Sequence, residues 1–174
     1  MCALREVRSV ITENVVNLMQ DFDVVHSVDL SKEEPAFKSE VVYTRLFGKG
    51  EHNIYQFVDE ELEEIDHRIL RSEARRVIAS FHGLRMNTDA IRFKEYKKTG
   101  AFLPVTSFTG ADSVRQVMSE DAEFPSSKAK LIGHQGWKVV DLTSNKRVHL
   151  SELLSKIPEK TYNDLHEVVE ALEV

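Results

Sequence analysis

Three short β-branched runs alternate with helix-length amphipathic segments in the first 105 residues, and this alternation narrows the possible folds more than any other feature of the chain. The runs are Val24-Val25-His26-Ser27-Val28-Asp29, Glu40-Val41-Val42-Tyr43-Thr44-Arg45-Leu46-Phe47 and Arg75-Arg76-Val77-Ile78-Ala79-Ser80-Phe81. Apolar residues at Leu4, Val7, Val10, Ile11, Val15 and Leu18 predict a helix ahead of the first run. An acidic start at Asp59-Glu60-Glu61, suited to a helix N-terminus, with Leu62, Ile65, Ile69 and Leu70 as the buried stripe, predicts a second helix between the other two. A third is expected over Asn87 to Lys98, capped by Gly100. Strands separated by helices of this size predict a parallel sheet with crossover helices rather than a meander.

A sheet of about three parallel strands has open edges, and parallel sheets are normally covered on both faces. The 174 residues also fall short of the roughly 250 of a complete eight-stranded α/β barrel. The expected fold is therefore α/β: the C-terminal portion of a (β/α)₈ TIM-like barrel over residues 1–105, followed by a small, mainly helical module over residues 106–174. The missing strands are expected from another protein chain or from a homo-oligomer, on the unpaired side of the His26-containing strand. In the module, helices are expected from Ala111 to Met118, from Pro125 through Ile132, from Leu150 to Ile157 and from about Asn163 to Leu172. Trp137–Leu142 and Arg147–Leu150 can form a hairpin, and Trp137 is expected to anchor the core.

Composition removes several function classes. The single Cys2 excludes an internal disulfide and a zinc site built from several thiolates. A formal charge of −6, spread over both parts of the chain, gives no electrostatic reason to expect nucleic acid. No apolar run approaches the ~20 residues that cross a bilayer, so no membrane is expected. The first residues lack a positive region ahead of an apolar core, which makes a cytoplasmic location the expectation. Nothing in the sequence calls for a cofactor or a metal. Glu120, Asp121 and Glu123 match no calcium-loop spacing and are expected to form a solvated turn.

Barrels place their chemistry at the C-terminal ends of the strands, and that rule brings three clusters to one rim. His26 and Asp29 could act as a hydrogen-bonded base pair or offer ligands, or could be a core histidine and a loop aspartate. Arg45 with Gly48-Lys49-Gly50 could hold an anion through exposed backbone N–H groups and two positive charges, although the glycines equally suit a tight turn. The phosphate-loop spacing GxxxxGK[ST] is absent. His82 could transfer a proton, while Asn87 could orient a ligand or cap its helix. Tyr55, in the loop after the glycines, could stack on a substrate or simply pin that loop. His26, Asp29 and His82 are the catalytic candidates; Arg45, Gly48, Lys49, Gly50, Tyr55 and Asn87 are the ligand-binding ones.

Asp23 to Asp29, Tyr43-Thr44-Arg45-Leu46-Phe47-Gly48, and Phe81-His82-Gly83 followed by Asn87 resemble the last three strands of the YecE-like family of uncharacterised TIM-barrel proteins, domain of unknown function family seventy-two. The resemblance spans about residues 4 to 100 and implies five earlier strands. Phe47 stands where that family usually has histidine. Phe124-Pro125-Ser126-Ser127-Lys128 and the stretch from Leu153 to Tyr162 resemble a small helical domain of unknown function found in prokaryotic proteins. The function expected is a site for an anionic or polar ligand, completed by another chain or copy; the alternative is a noncatalytic interaction or structural module derived from a barrel. The residues name no reaction.

Overall fold

Strand β1 (Cys2–Leu4), helix α1 (Glu13–Asp21), strands β2 (Val24–Val28) and β3 (Val41–Leu46), helix α2 (Asp59–Arg71), strand β4 (Arg76–Phe81) and helix α3 (Met86–Thr99) make up the first part of the chain. The structure is a computed structural model that describes residues 2–4 by their backbone, and residues 11–51 and 53–172 in full. The four strands form one parallel sheet in the order β1-β2-β3-β4. Helices α1 and α2 carry the chain from β1 to β2 and from β3 to β4, whereas β2 reaches β3 through the helix-free connection 29–40; sequential parallel strands of this kind match part of a (β/α)₈ barrel, and the three expected strands are the last three of the sheet.

The fourth strand occupies ground that the sequence assigns to a helix. Leu4 pairs with His26 and Cys2 with Val24, so β1 covers the side of the His26 strand that was expected to be open. A three-residue strand has no period-two pattern of its own, and its leucine falls by chance into the spacing of the helix that follows. Val7 and Val10 lie outside the described residues, as does His52 of the loop before Tyr55. Helix α1 buries Met19 but leaves Val15 and Leu18 exposed, and Leu70 of α2 is exposed as well, so three of the expected stripe residues have no cover within the described chain.

One face of the sheet carries the core. Val28, Val42, Leu46 and Phe81 pack against Leu62 and Ile65 of α2 and Phe93 of α3, together with Tyr55 and Phe57 from the loop between β3 and α2. An aromatic row runs through it, with ring centroids 5.3 Å apart for Tyr55–Phe57 and 5.8 Å for both Phe57–Phe81 and Phe81–Phe93. Fully burying a side chain such as Leu62 contributes about 1.5–3 kcal/mol. Because strand side chains alternate, Tyr43 and Arg45 point to the opposite face, level with Ile78 and Ser80 of β4, and that face is buried at Val25, Ser27 and Val41 but exposed at Ile78. In a closed barrel that face lines the interior.

The second part contains helix α4 (Ala111–Met118), strand β5 (Ser126–Ser127), helix α5 (Lys128–Gln135), strands β6 (Val139–Thr143) and β7 (Lys146–His149), helix α6 (Leu150–Leu154), strand β8 (Thr161–Tyr162) and helix α7 (Leu165–Glu170). The expected hairpin is present as β6 and β7, paired antiparallel. The helix expected to start at Pro125 begins later: Ser126 and Ser127 first pair with β8, and the Ser127 hydroxyl then caps α5 by accepting from Lys130 N. Asp164 caps α7 through Glu167 N. A separate apolar cluster gathers around Met118, Leu131, Val140, Leu150, Leu154, Tyr162 and Val168. Trp137 is only half-buried and donates its Nε1 hydrogen to His134 O at 3.0 Å, so Tyr162, not the tryptophan, anchors this core.

Candidate functional site

The end of β3 and the end of β4 bring Arg45, Phe47, Ser80 and His82 together on the face that carries Tyr43. The parallel register sets Arg45 beside Ser80 and Leu46 beside Phe81, and His82 N continues the ladder to Leu46 O at 2.9 Å. Arg45 Nε donates to His82 Nε2 at 3.3 Å. Only a neutral imidazole offers that nitrogen as an acceptor, so in this arrangement the Ser80 hydroxyl, also 3.3 Å from Nε2, acts as a donor. The Phe47 ring stacks on His82 with centroids 4.6 Å apart, and the Arg45 guanidinium lies 5.0 Å from the Phe47 centroid. The Phe47 ring thus lies against both polar neighbours. Arg45 and His82 are half-buried, and the contacts of the Arg45 guanidinium among the described residues are to the His82 and Phe47 rings.

The other candidates occupy different surroundings. Asp29 is buried at the end of β2, where its carboxylate accepts from Ser31 N at 3.0 Å, Ser31 Oγ at 2.6 Å and Phe47 N at 3.3 Å, with Lys32 Nζ 3.4 Å away. It ties the end of β2 to the end of β3. His26 Nδ1 accepts from Ala36 N at 3.2 Å, which braces the connection to β3, and burial holds its pKa below the ordinary histidine value against the pull of Glu33. The hydrogen bonds of His26 and Asp29 lead to different partners, so the two do not form a His–Asp pair.

The Gly48-Lys49-Gly50 turn wraps an aromatic ring. Gly48 has φ +75°, and a Cβ there would overlap the Tyr55 ring; one on Gly50 would lie 2.8 Å from the same ring. Tyr55 is buried, its hydroxyl bonds Glu61, and burial together with that carboxylate pushes its pKa upward. Lys49 Nζ pairs with Glu61 Oε1 at 3.3 Å. The glycines, Lys49 and Tyr55 therefore form one packed turn. Asn87 is exposed in the first turn of α3, whose N-cap is Arg85, so the asparagine lies inside the helix rather than capping it.

A buried ion network, invisible in the sequence, joins the two parts of the chain. Asp59 at the start of α2 receives Arg92 Nη2 on Oδ1 and Arg147 Nη1 on Oδ2, both at 2.5 Å. Arg92 also meets Asp89 at 3.1 Å and Phe57 O at 2.7 Å, while Arg147 Nε lies 3.0 Å from Asp141. Burial pushes the Asp89 carboxyl up to about 7, partly offset by Arg92 and by the Phe57 N–H. Asp141 accepts from Thr106 N at 2.7 Å and Thr106 Oγ1 at 2.8 Å. His149 Nε2 is 2.8 Å from Gln56 O, and Val139 N donates to Gln56 Oε1 at 3.0 Å. Each residue reads as an ordinary helix or strand charge until the fold brings it to its partner.

The acidic turn is solvent-exposed, as expected, and is also tethered: Glu120 bonds Arg85, Asp121 bonds the buried Lys138, and Glu123 lies 3.2 Å from Lys130. A groove of about 300 Å³ lies between Gly50, Tyr55, Trp137 and His149 where the two parts meet. No cluster of three or more His, Cys, Asp or Glu side chains suited to a metal ion occurs among the described residues, and no helix among them is long and apolar enough to cross a membrane. No family model, curated protein or solved structure matches the chain.

Proposed function

We propose that the Arg45–His82 rim binds a small anionic or polar ligand carrying a phosphate or carboxylate, in a pocket completed when another chain or copy covers the face of the sheet that carries them. The observation that carries this reading is the posture of Arg45. Its Nε is spent on His82 and its guanidinium lies near the Phe47 ring, which leaves the two terminal nitrogens as a fork with no ion pair to a carboxylate of the described residues. A planar fork of this kind suits bidentate recognition of phosphate or carboxylate. His82, whose Nε2 accepts from Arg45 Nε at 3.3 Å, stands beside that fork at the same rim. Asp29 and His26 serve by holding the strand ends. The resemblance of Tyr43–Gly48 and Phe81–Gly83 to the YecE-like family supports a rim at the closing end of a barrel, and a division near residue 105 belongs to the same reading, with the two apolar clusters on either side of it.

Titration with inorganic phosphate tests it, followed by calorimetry and by the His82 ring resonances. Saturable binding that shifts His82 and weakens roughly ten- to a hundredfold in Arg45→Ala is expected. Binding of equal strength in that variant, or none in the assembled wild type, would exclude the site. A second reading, a noncatalytic interaction module, is favoured by the exposed Val15, Leu18 and Phe22 along α1; on that reading Arg45→Ala and His82→Ala leave assembly intact and phosphate has no effect.

A further inference from the structure

We propose that a second copy of this chain closes the open sheet: β4 of each copy pairs in parallel with β1 of the other, and two four-stranded halves make one eight-stranded barrel. The inference rests on the ligand-site reading above and names the partner that completes it.

The sheet supplies the first argument. Its four strands run parallel in sequential order, and its outer edges are β1 and β4. When two such sheets are related by a two-fold axis along the strand direction, β4 of one runs in the same direction as β1 of the other. Contacts between unlike edges generally propagate into open assemblies, but here the ring closes after two copies because eight strands complete a barrel of this kind. The closure buries both outer edges and the exposed β4 side of the interior face, where Ile78 stands, while Val25, Ser27 and Val41 on the same face are already buried in the single chain, and it brings the two Arg45–His82 rims to one end of a shared lumen.

The helices supply the second. On the β1 side of the sheet, α1 exposes Val15, Leu18 (57%) and, at its C-cap, Phe22 (73%), a stripe at i, i+3 and i+7. On the β4 side, α3 exposes Met86 (46%) and Ile91 (57%). In the closed ring α3 of one copy lies beside α1 of the other, so the α1 stripe meets the exposed Met86 or Ile91 side of α3 at both junctions. On the interior face Ile78 of β4 is 47% exposed. The C-terminal part docks elsewhere, on the loop before α2 and the helix starts, through Arg147–Asp59 and His149–Gln56.

Light scattering on the purified full chain is expected to give twice 19.9 kDa across the micromolar range. Leu18→Glu/Phe22→Glu, both exposed in the single chain, is expected to give one chain mass with unchanged circular dichroism. Geometry is read by cross-linking. Cys2 is the only cysteine; the register gives position 2 the same face of the sheet as Ala79, three strand spacings or about 14 Å away within one chain. Ala79→Cys treated with a short bismaleimide is expected to give covalent dimers, whereas Cys2→Ser/Ala79→Cys gives none because the two introduced thiols lie on opposite walls of the barrel. A wild type that is monomeric throughout the range, a dimer unaffected by the α1 charges, or equal cross-linking without Cys2 would overturn the inference. The phosphate titration of Arg45→Ala reports on the ligand site independently of mass, so the two readings fail separately.

Discussion

Arg147 and Asp59, 88 positions apart, meet at 2.5 Å, with Arg147 buried and Asp59's other oxygen already held by Arg92. One carboxylate thus answers two guanidinium groups, one from each part of the chain. Removing it leaves both arginines with reduced compensation in a dry environment. Asp59→Ala is expected to cost about 3–5 kcal/mol, and to expose the β6–β7 hairpin to faster amide exchange before the sheet. Unfolding in urea followed by hydrogen exchange checks both; a cost below about 1 kcal/mol, the level of a surface pair, would contradict it.

Asp89 gives the protein a characteristic pH response. Its folded pKa is raised to about 7 from an ordinary 3.8, chiefly by burial, so between those values the folded state holds a proton that the unfolded state has lost. Stability from this group is full below about pH 4 and declines as pH rises toward 7, by at most about 1.4 kcal/mol per pH unit. Asp89→Asn keeps an acceptor for Phe57 N and is expected to flatten that slope, read as the difference between urea midpoints of the two proteins at pH 4.5, 5.5 and 6.5.

His26 acts in the other direction. Its lowered folded pKa means that the neutral ring favours the folded state, a contribution present above the unfolded value near 6.5 and lost as pH falls through the folded one. Protonation also consumes the Nδ1 lone pair that receives Ala36 N. His26→Asn, which retains an acceptor without titrating, is expected to be less acid-sensitive than the wild type below pH 6.5. An NMR titration placing the His26 pKa above its unfolded value would reverse the prediction.

Gly48 and Gly100 have nearly the same φ, +75° and +77°, but different neighbours. Alanine at Gly100 meets nothing within 4 Å and should cost only the left-handed backbone penalty, about 1–2 kcal/mol. At Gly48 the methyl would overlap the Tyr55 ring, so Gly48→Ala is expected to cost about 1–3 kcal/mol more and to perturb Tyr55 fluorescence. Equal costs would show that the ring yields freely.

The sequence carries β2, β3, β4 and α3 with its Gly100 cap because each has a local signature: β-branched runs, a sharp Gly turn, a left-handed C-cap. It does not carry β1, since three residues with an ordinary composition become a strand only through the partner that pairs with them. The rim was legible in part. Arg45 and His82 were found by position at strand ends, and they do meet. The roles of Gly48, Lys49 and Tyr55 depend on side-chain packing across the turn, and those of Asp59, Arg92 and Arg147 on contacts 33 to 88 residues distant, for which no local pattern exists.

The double claim on Asp59 has a bearing on how the protein is made. Synthesis is vectorial, and N-terminal units fold first as the chain emerges. Arg92 is translated early enough to engage Asp59 as soon as α2 and α3 pack, but the second oxygen waits for Arg147, 55 residues later. Until then the carboxylate at the start of α2 has Arg92 alone of its two guanidinium partners, and the arrival of the hairpin completes the pair.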